Sequence, residues 1–357
     1  MVQMIEDLLI EMSKLDASDL HLSVGLPPCF RVHGHLTRSN SDILTRDTCQ
    51  RLLFGMLSNE QRRVLEQNWE LDFAYSVPKV GRFRVNVYRE RGNYAAALRS
   101  IKTIPPSLES LGLPPICSQL TERSKGLILV TGPTGSGKST TLASMVDYIN
   151  THRSEHILTI EDPVEFVHRS KSSIVHQREL GADTKSFANA LKSALREDPD
   201  VILLGEMRDL ETIQLAISAA ETGHLVMGTL HTSSAMQTVD RIVDVFPSSQ
   251  HNQIRVQLSN SLVAVLSQTL LPKISYNDQP AGRVMAQEIM VCTPAIANLV
   301  REGKTAQIYS SIQTGVQVGS QTMENALYNL VIQGHITAEQ ALSKSTRPEE
   351  LKRLIGR

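Results

Sequence analysis

The clearest chemistry lies in eight consecutive residues, Gly132-Pro133-Thr134-Gly135-Ser136-Gly137-Lys138-Ser139, which fit the pattern G-x-x-x-x-G-K-[ST] without deviation. Glycines let a backbone wrap a phosphate with its N–H groups pointing inward. The motif follows a continuous apolar run, Gly126 to Thr131, and opens an expected helix from Lys138 to about Asn150, with Thr140 in its first turn. A helix N-terminus adds about half a positive charge to such a cradle. Lys138 is expected to reach the β- and γ-phosphates, and the Ser139 hydroxyl to ligate Mg²⁺. The implied ligands are ATP and Mg²⁺.

Acids and a histidine follow in places where such a ligand can use them. Val201-Ile-Leu-Leu-Gly205-Glu206 runs four apolar residues into a carboxylate. Hydrolysis needs a carboxylate to position or deprotonate the attacking water, and Glu206 is the candidate. Gly205 stands where an Asp commonly binds magnesium, so the metal falls to Ser139, the phosphates, water and another acid. Thr159-Ile-Glu161-Asp162-Pro163-Val-Glu165 places three carboxylates after a second apolar strand. Glu161 and Glu165 are further catalytic candidates, and Glu165 joins Ser139 as a candidate metal ligand. The stretch Leu225 to Leu230 is flanked by His224 and His231. His231 lies at the carboxyl end, where a hydrogen bond can sense the γ-phosphate. His224 lies at the opposite end and reads as structural or interfacial.

These groups need a scaffold that gathers them. Apolar strands at 126–131, 156–160, 201–204 and 225–230 alternate with helical patterns at 138–150, 187–196 and 210–221. Buried strands separated by helices imply a mostly parallel sheet of the α/β class. Helical patterns dominate from Pro294 onward. The first hundred residues read differently. Ile5, Leu8, Leu9 and Met12 follow i, i+3, i+4, i+7, a helix. Leu20-Leu22-Val24, Phe30-Val32-Leu36, Phe83-Val85-Val87 and Tyr94 to Leu98 read as strands, with one helix over Asp47 to Gln67. Pro105-Pro106 and Pro114-Pro115 bracket an aperiodic stretch. The expected organisation is an α+β domain over 1–100, a linker over 101–116, and an α/β domain over 117–357.

Composition excludes several classes. Of 357 residues, 41% are hydrophobic and 20% charged, a globular balance. The formal net charge of -1 disfavours a protein held to duplex nucleic acid by charge. Cys29, Cys49, Cys117 and Cys292 form no CxxC pair, so no zinc is expected, and reduced thiols suit a cytosolic protein. The first residues carry acids where a signal peptide carries bases, and no apolar run is long enough to span a bilayer.

Taken together and in this order, the four blocks resemble the secretion ATPase superfamily, the motors of type IV pili and type II secretion. They match its Walker A, Asp box, Walker B with Gly in place of Asp, and His box. Ala17-Ser-Asp-Leu-His-Leu-Ser-Val-Gly-Leu-Pro-Pro, Ser193-Ala-Leu-Arg-Glu-Asp-Pro-Asp and Asp240-Arg-Ile-Val-Asp-Val-Phe-Pro are similar to further family segments. Within the family the likeness is strongest to the pilus-retraction branch. Assembly motors usually carry a four-cysteine zinc site and a further N-terminal domain, and neither is in this sequence. One departure is that Ala297 and Val300 stand where the C-terminal helix often has Arg and Ile. The resemblance implies a PAS-like N-terminal domain and a RecA-like ATPase domain in a homohexameric ring. It implies a cytoplasmic motor at the inner membrane's cytoplasmic face, docked on a pilus platform protein and touching the membrane only through it, with no nucleic-acid partner. It also implies N-domain arginines near the nucleotide. Arg82, Arg84 and Arg99, with Arg89 and Arg91, are the candidates.

Overall fold

The computed structural model describes residues 4–32, 34–101, 104–274 and 282–356. By contacts the chain divides into two compact units. One is Met1–Ile104 with Pro163–Val167, and the other is Pro105–Asp162 with His168–Arg357.

The first unit opens with α1 (Ile5–Lys14), which buries Ile5, Leu8, Leu9 and Met12, the four positions the helical spacing selects. Strands β1 (Asp19–Leu22), β2 (Cys29–Val32) and β3 (His35–Arg38) follow. Two helices come next, α2 (Arg46–Gly55) and α3 (Asn59–Asn68), where a single helix over 47–67 was expected. The break has a local cause. The Ser58 side chain accepts from the Gln61 N–H, and the Gln61 side chain returns to the Ser58 N–H at 2.9 Å, a capping box that starts a new helix. Strands β4 (Glu70–Val77), β5 (Gly81–Glu90) and β6 (Asn93–Ile101) complete a six-stranded sheet in the order β3-β2-β1-β6-β5-β4. Phe83, Val85 and Val87 enter this unit's core, so the period-two alternation puts Arg82 and Arg84 on the other face of β5.

The second unit runs α4 (Ile116–Thr121), β7 (Gly126–Thr131), α5 (Lys138–His152), β8 (His156–Glu161) and β9 (Ile174–Glu179). It continues through α6 (Phe187–Ala194), β10 (Val201–Leu204), α7 (Leu210–Thr222), β11 (Leu225–Leu230), α8 (Ala235–Asp244) and α9 (His251–Ser261). Strands β12 (Leu262–Pro272) and β13 (Arg283–Val291) precede α10 (Pro294–Glu302), α11 (Ile308–Thr314), α12 (Met323–Ile332), α13 (Ala338–Lys344) and α14 (Pro348–Ile355). The strand order is β13-β12-β7-β11-β10-β8-β9. All neighbours pair in parallel except β13, which is antiparallel to β12. This is the expected α/β class, preceded by the smaller α+β unit. Leu127 and Leu129 enter one core and Ile128 and Val130 the other, so β7 is buried on both faces.

Strands β9, β12 and β13 add to the four expected ones. Ser267, Gln268 and Thr269 interrupt the apolar run of β12, and side-chain alternation in β9 mixes His176 and Arg178 with Val175. The division between the units falls after Ile104. Of the stretch expected as a linker, residues 102 and 103 lie outside the described residues, while Leu108 and Leu113 are buried in the second unit's core. Its prolines shape a packed segment instead of a free tether. Among the described residues, no helix is long and apolar enough to cross a membrane.

Candidate nucleotide site

Parallel strands present their carboxyl ends along one sheet edge, where α/β proteins bind ligands. The edge follows the strand order. The register pairs Thr131 of β7 with Leu230 of β11, so the glycine loop and His231 leave adjacent strands side by side. Next to β11, β10 ends at Leu204 and hands on to Gly205-Glu206, and β8 beyond it ends in Glu161. Strands lie about 4.8 Å apart, so from β7 to β8 the edge spans about 14 Å, enough for a phosphate chain and the water that attacks it.

The loop has the geometry of a phosphate cradle. Gly132 has φ +140° and Gly137 φ +89°. A Cβ on Gly132 would lie 2.3 Å from the Gln268 carbonyl oxygen and 2.7 Å from the Ser136 Oγ, so glycine alone fits there. Gly137 is the N-cap of α5 and offers no side-chain cap, leaving the helix's first N–H groups to the loop's open side. The Lys138 ammonium donates to the Gly132 carbonyl at 2.9 Å and the Pro133 carbonyl at 3.2 Å. The Ser136 hydroxyl is buried and hydrogen-bonds to nothing among the described residues. Pro133, Thr134 and Gly135 are exposed, while Ser139 and Thr140 are half-buried in the first turn of α5. Bare amides, an orphaned hydroxyl and a lysine fit an anionic phosphate group. For a metal, the Ser139 hydroxyl is on hand, and among the described residues no three His, Cys, Asp or Glu side chains gather to hold an ion. Such a donor set fits Mg²⁺ carried in with phosphates and water, its usual mode of binding.

Glu206 is held from two sides. Its Oε1 accepts from the Arg208 guanidinium and from His231 Nε2 at 2.8 Å. Burial pushes the Glu206 carboxyl upward, but the Arg208 hydrogen bond and charge, with His231, outweigh it and hold the group below its ordinary value. Gly205 has a steric reason to lack a side chain. A Cβ there would lie 3.2 Å from the Glu161 Cα and 3.3 Å from the Ile160 carbonyl, where β10 and β8 close together. The expected result for Gly205→Ala is a loss of about 1–3 kcal/mol, read as a fall of several degrees in the unfolding midpoint. An unchanged midpoint would mean the two strand ends part without cost.

Glu161 is fixed by the Thr159 hydroxyl at 2.7 Å and the Gln177 amide at 3.0 Å. Glu165 is placed differently. It is exposed between buried Val164 and Phe166, in the segment Pro163–Val167 that groups with the first unit. Glu161, Glu206, His231 and the loop therefore share one sheet edge, while Glu165 belongs to the segment that groups with the first unit. Arg82, Arg84 and Arg99 all belong to the first unit. There Arg84 faces Asp72 at 3.8 Å, and Arg99 binds Asp19 at 2.8 Å. Burial raises the Asp19 carboxyl, but Ser18 and Arg99 outweigh it and hold the group low. Arg89 lies over the Trp69 and Tyr94 rings, and Arg91 pairs with Glu90 at 3.3 Å. At the opposite sheet end the His224 ring meets the Ala219 carbonyl at 3.0 Å, a structural bond.

Sequence reading missed the residues that orient the acids. Arg208 carried a signal, a cation two places after Glu206. Gln177 carried none, because β9 was not expected. Thr229, whose hydroxyl donates to the Gly205 carbonyl, looked like one more strand residue.

The chain is similar to characterised proteins along nearly its whole length. A type IV pilus retraction ATPase, PilT, of Pseudomonas aeruginosa is 52% identical over 345 residues, 97% of this chain and 99% of its own. A twitching motility protein of Neisseria gonorrhoeae is 51% identical over 324 residues, 91% of this chain and 86% of its own. The crystal structure of a pilus retraction motor PilT with bound ADP superposes with a TM-score of 0.92 at 51% identity, covering 98% of this chain and 99% of that one. The family model described as "Type II/IV secretion system protein" matches residues 1–343, and the chain belongs to that family.

Proposed function

We propose that this protein is a hexameric ATPase that powers type IV pilus retraction. The observation that carries the reading is the intact glycine loop on the same sheet edge as a doubly anchored Glu206, in a chain 52% identical over nearly its whole length to a retraction ATPase.

The loop amides and Lys138 bind the phosphates, and Ser139 would hold the metal. Bound Mg²⁺ would supply positive charge against the phosphates. Glu206 aligns the attacking water, and Arg208 and His231 hold its carboxylate on target. Being kept ionised, Glu206 acts first by orientation, and His231, bound to its carboxylate, lies where it can sense the γ-phosphate. Glu161 and Glu165 are the acids for the metal's water shell. Arg82, Arg84 and Arg99, from the same or a neighbouring subunit, are the cations for charge spreading over the γ-phosphate. The small first unit is the moving PAS-like domain and the second is the RecA-like motor. The ring works at the cytoplasmic face of the inner membrane on a pilus platform protein, its one route to the membrane.

Deletion of the gene in its native cell tests the direction of work. Cells that keep surface pili but stop twitching, rescued by the intact gene, are the expected result. Bald cells would assign the motor to assembly and overturn the retraction reading.

A further inference from the structure

Below the glycine loop lies a buried polar network that the catalytic reading does not use. The register pairs Ser267 of β12 with Thr131 of β7, so the next residue, Gln268, arrives beside the first glycine of the loop. Gln268 is 1% exposed. Its Nε2 donates to the Ser136 carbonyl at 2.9 Å. Its Oε1 accepts from the Thr141 hydroxyl at 3.1 Å and from the Gln287 amide at 3.2 Å. Because the Ser136 oxygen only accepts, the orientation of the Gln268 amide is determined. Gln287 is its direct cross-strand partner on β13, and the Gln287 carbonyl accepts from the Gln321 side chain at 2.9 Å.

We propose that Gln268 is the positioning residue of the nucleotide loop, setting its affinity for phosphate by orienting the Ser136–Gly137 peptide. In a trans peptide the C=O and the following N–H point to opposite sides. Tying the Ser136 oxygen down to Gln268 therefore turns the Gly137 N–H away from the core, toward the open side of the loop. The same amide grips Thr141, one turn into α5, so loop and helix are held from a single point. Thr141 and Gln287 leave the amide no alternative rotamer without unpaired buried groups. Gln268 itself touches no phosphate.

The inference rests on Gly132–Ser139 being the nucleotide loop, and the test separates the two. Full-length protein is titrated with a fluorescent ADP, and steady-state hydrolysis is followed over ATP concentration. No binding by the wild type would sink the nucleotide reading itself. With the wild type binding, Gln268→Met, which keeps the side chain's length but has no donor, is expected to weaken ADP about 10-fold. KM for ATP should rise by a similar factor, with kcat at saturation within about twofold of the wild type, since chemistry on bound ATP does not involve this side chain. Gln268→Glu adds a readout that simple loss of packing does not move. An ionised carboxylate cannot donate to the Ser136 oxygen, whereas a protonated one can, and burial brings its titration toward neutrality. Its affinity relative to wild type is expected to recover as pH falls from 8 to 6. Wild-type affinity in Gln268→Met, or a pH-independent ratio in Gln268→Glu, would overturn the proposal. If Gln268→Met does not fold, the pH ratio of Gln268→Glu decides alone.

Discussion

Glu206→Gln is expected to bind ATP with near-normal affinity and to hydrolyse it about 10²–10⁴ times more slowly. The glutamine keeps the size of the side chain and one oxygen for Arg208 and His231 to bind. It loses the charge that aligns or deprotonates water. The loop amides and Lys138 are untouched, so binding survives. In cells the variant should leave pili extended. Paired measurements of ATP affinity and turnover over a magnesium titration check this. If affinity falls with rate and excess Mg²⁺ restores both, Glu206 is chiefly a metal ligand. If turnover is unchanged throughout, the role passes to Glu161 or Glu165. The depressed pKa sets a further limit. Glu206 stays ionised until the pH falls below its ordinary value of 4.5, so activity lost between pH 7 and 5.5 belongs to another group.

Lys138→Ala is expected to weaken ATP binding about 100-fold or more. A hydrogen bond to a charged group is worth about 1.5–3 kcal/mol, and every 1.4 kcal/mol is tenfold in affinity. Removing the ammonium also leaves phosphate charge uncompensated in a partly dry cradle. The structure gives the lysine a second task, since it ties the Gly132 and Pro133 carbonyls across the loop mouth. Calorimetric titration with ATP, set beside the unfolding midpoint without nucleotide, separates the two. A large affinity loss with a small change in midpoint assigns Lys138 to the phosphates. Wild-type affinity would remove it from the cradle.

Much of this protein was legible from local sequence because local chemistry dictates it. The loop of 132–139 demands glycines and a lysine at set places, and each strand buried on two faces reads as an unbroken apolar run. The alternation of such strands with helices prescribes a parallel sheet, and a parallel sheet collects Lys138, His231, Glu206 and Glu161 on one edge. Short-range capping is legible too: the Ser58 box starts a second helix within the stretch that apolar periodicity reads as one.

Tertiary structure decided what depends on residues distant in sequence. Gly205 is small because β8 crowds it, a neighbour more than forty positions away. Glu206 meets His231, 25 positions on, because β10 and β11 pair in one register. Pro163–Val167 groups with the first unit, although it follows β8 of the second directly in sequence. Gln268 looked like a polar interruption in an apolar run until β12 was seen to lie beside β7, where its amide meets a carbonyl 132 positions away. A single sequence records which side chains can donate, accept or pack. Which of them find each other is decided by strand order and register, and those depend on the whole core closing at once.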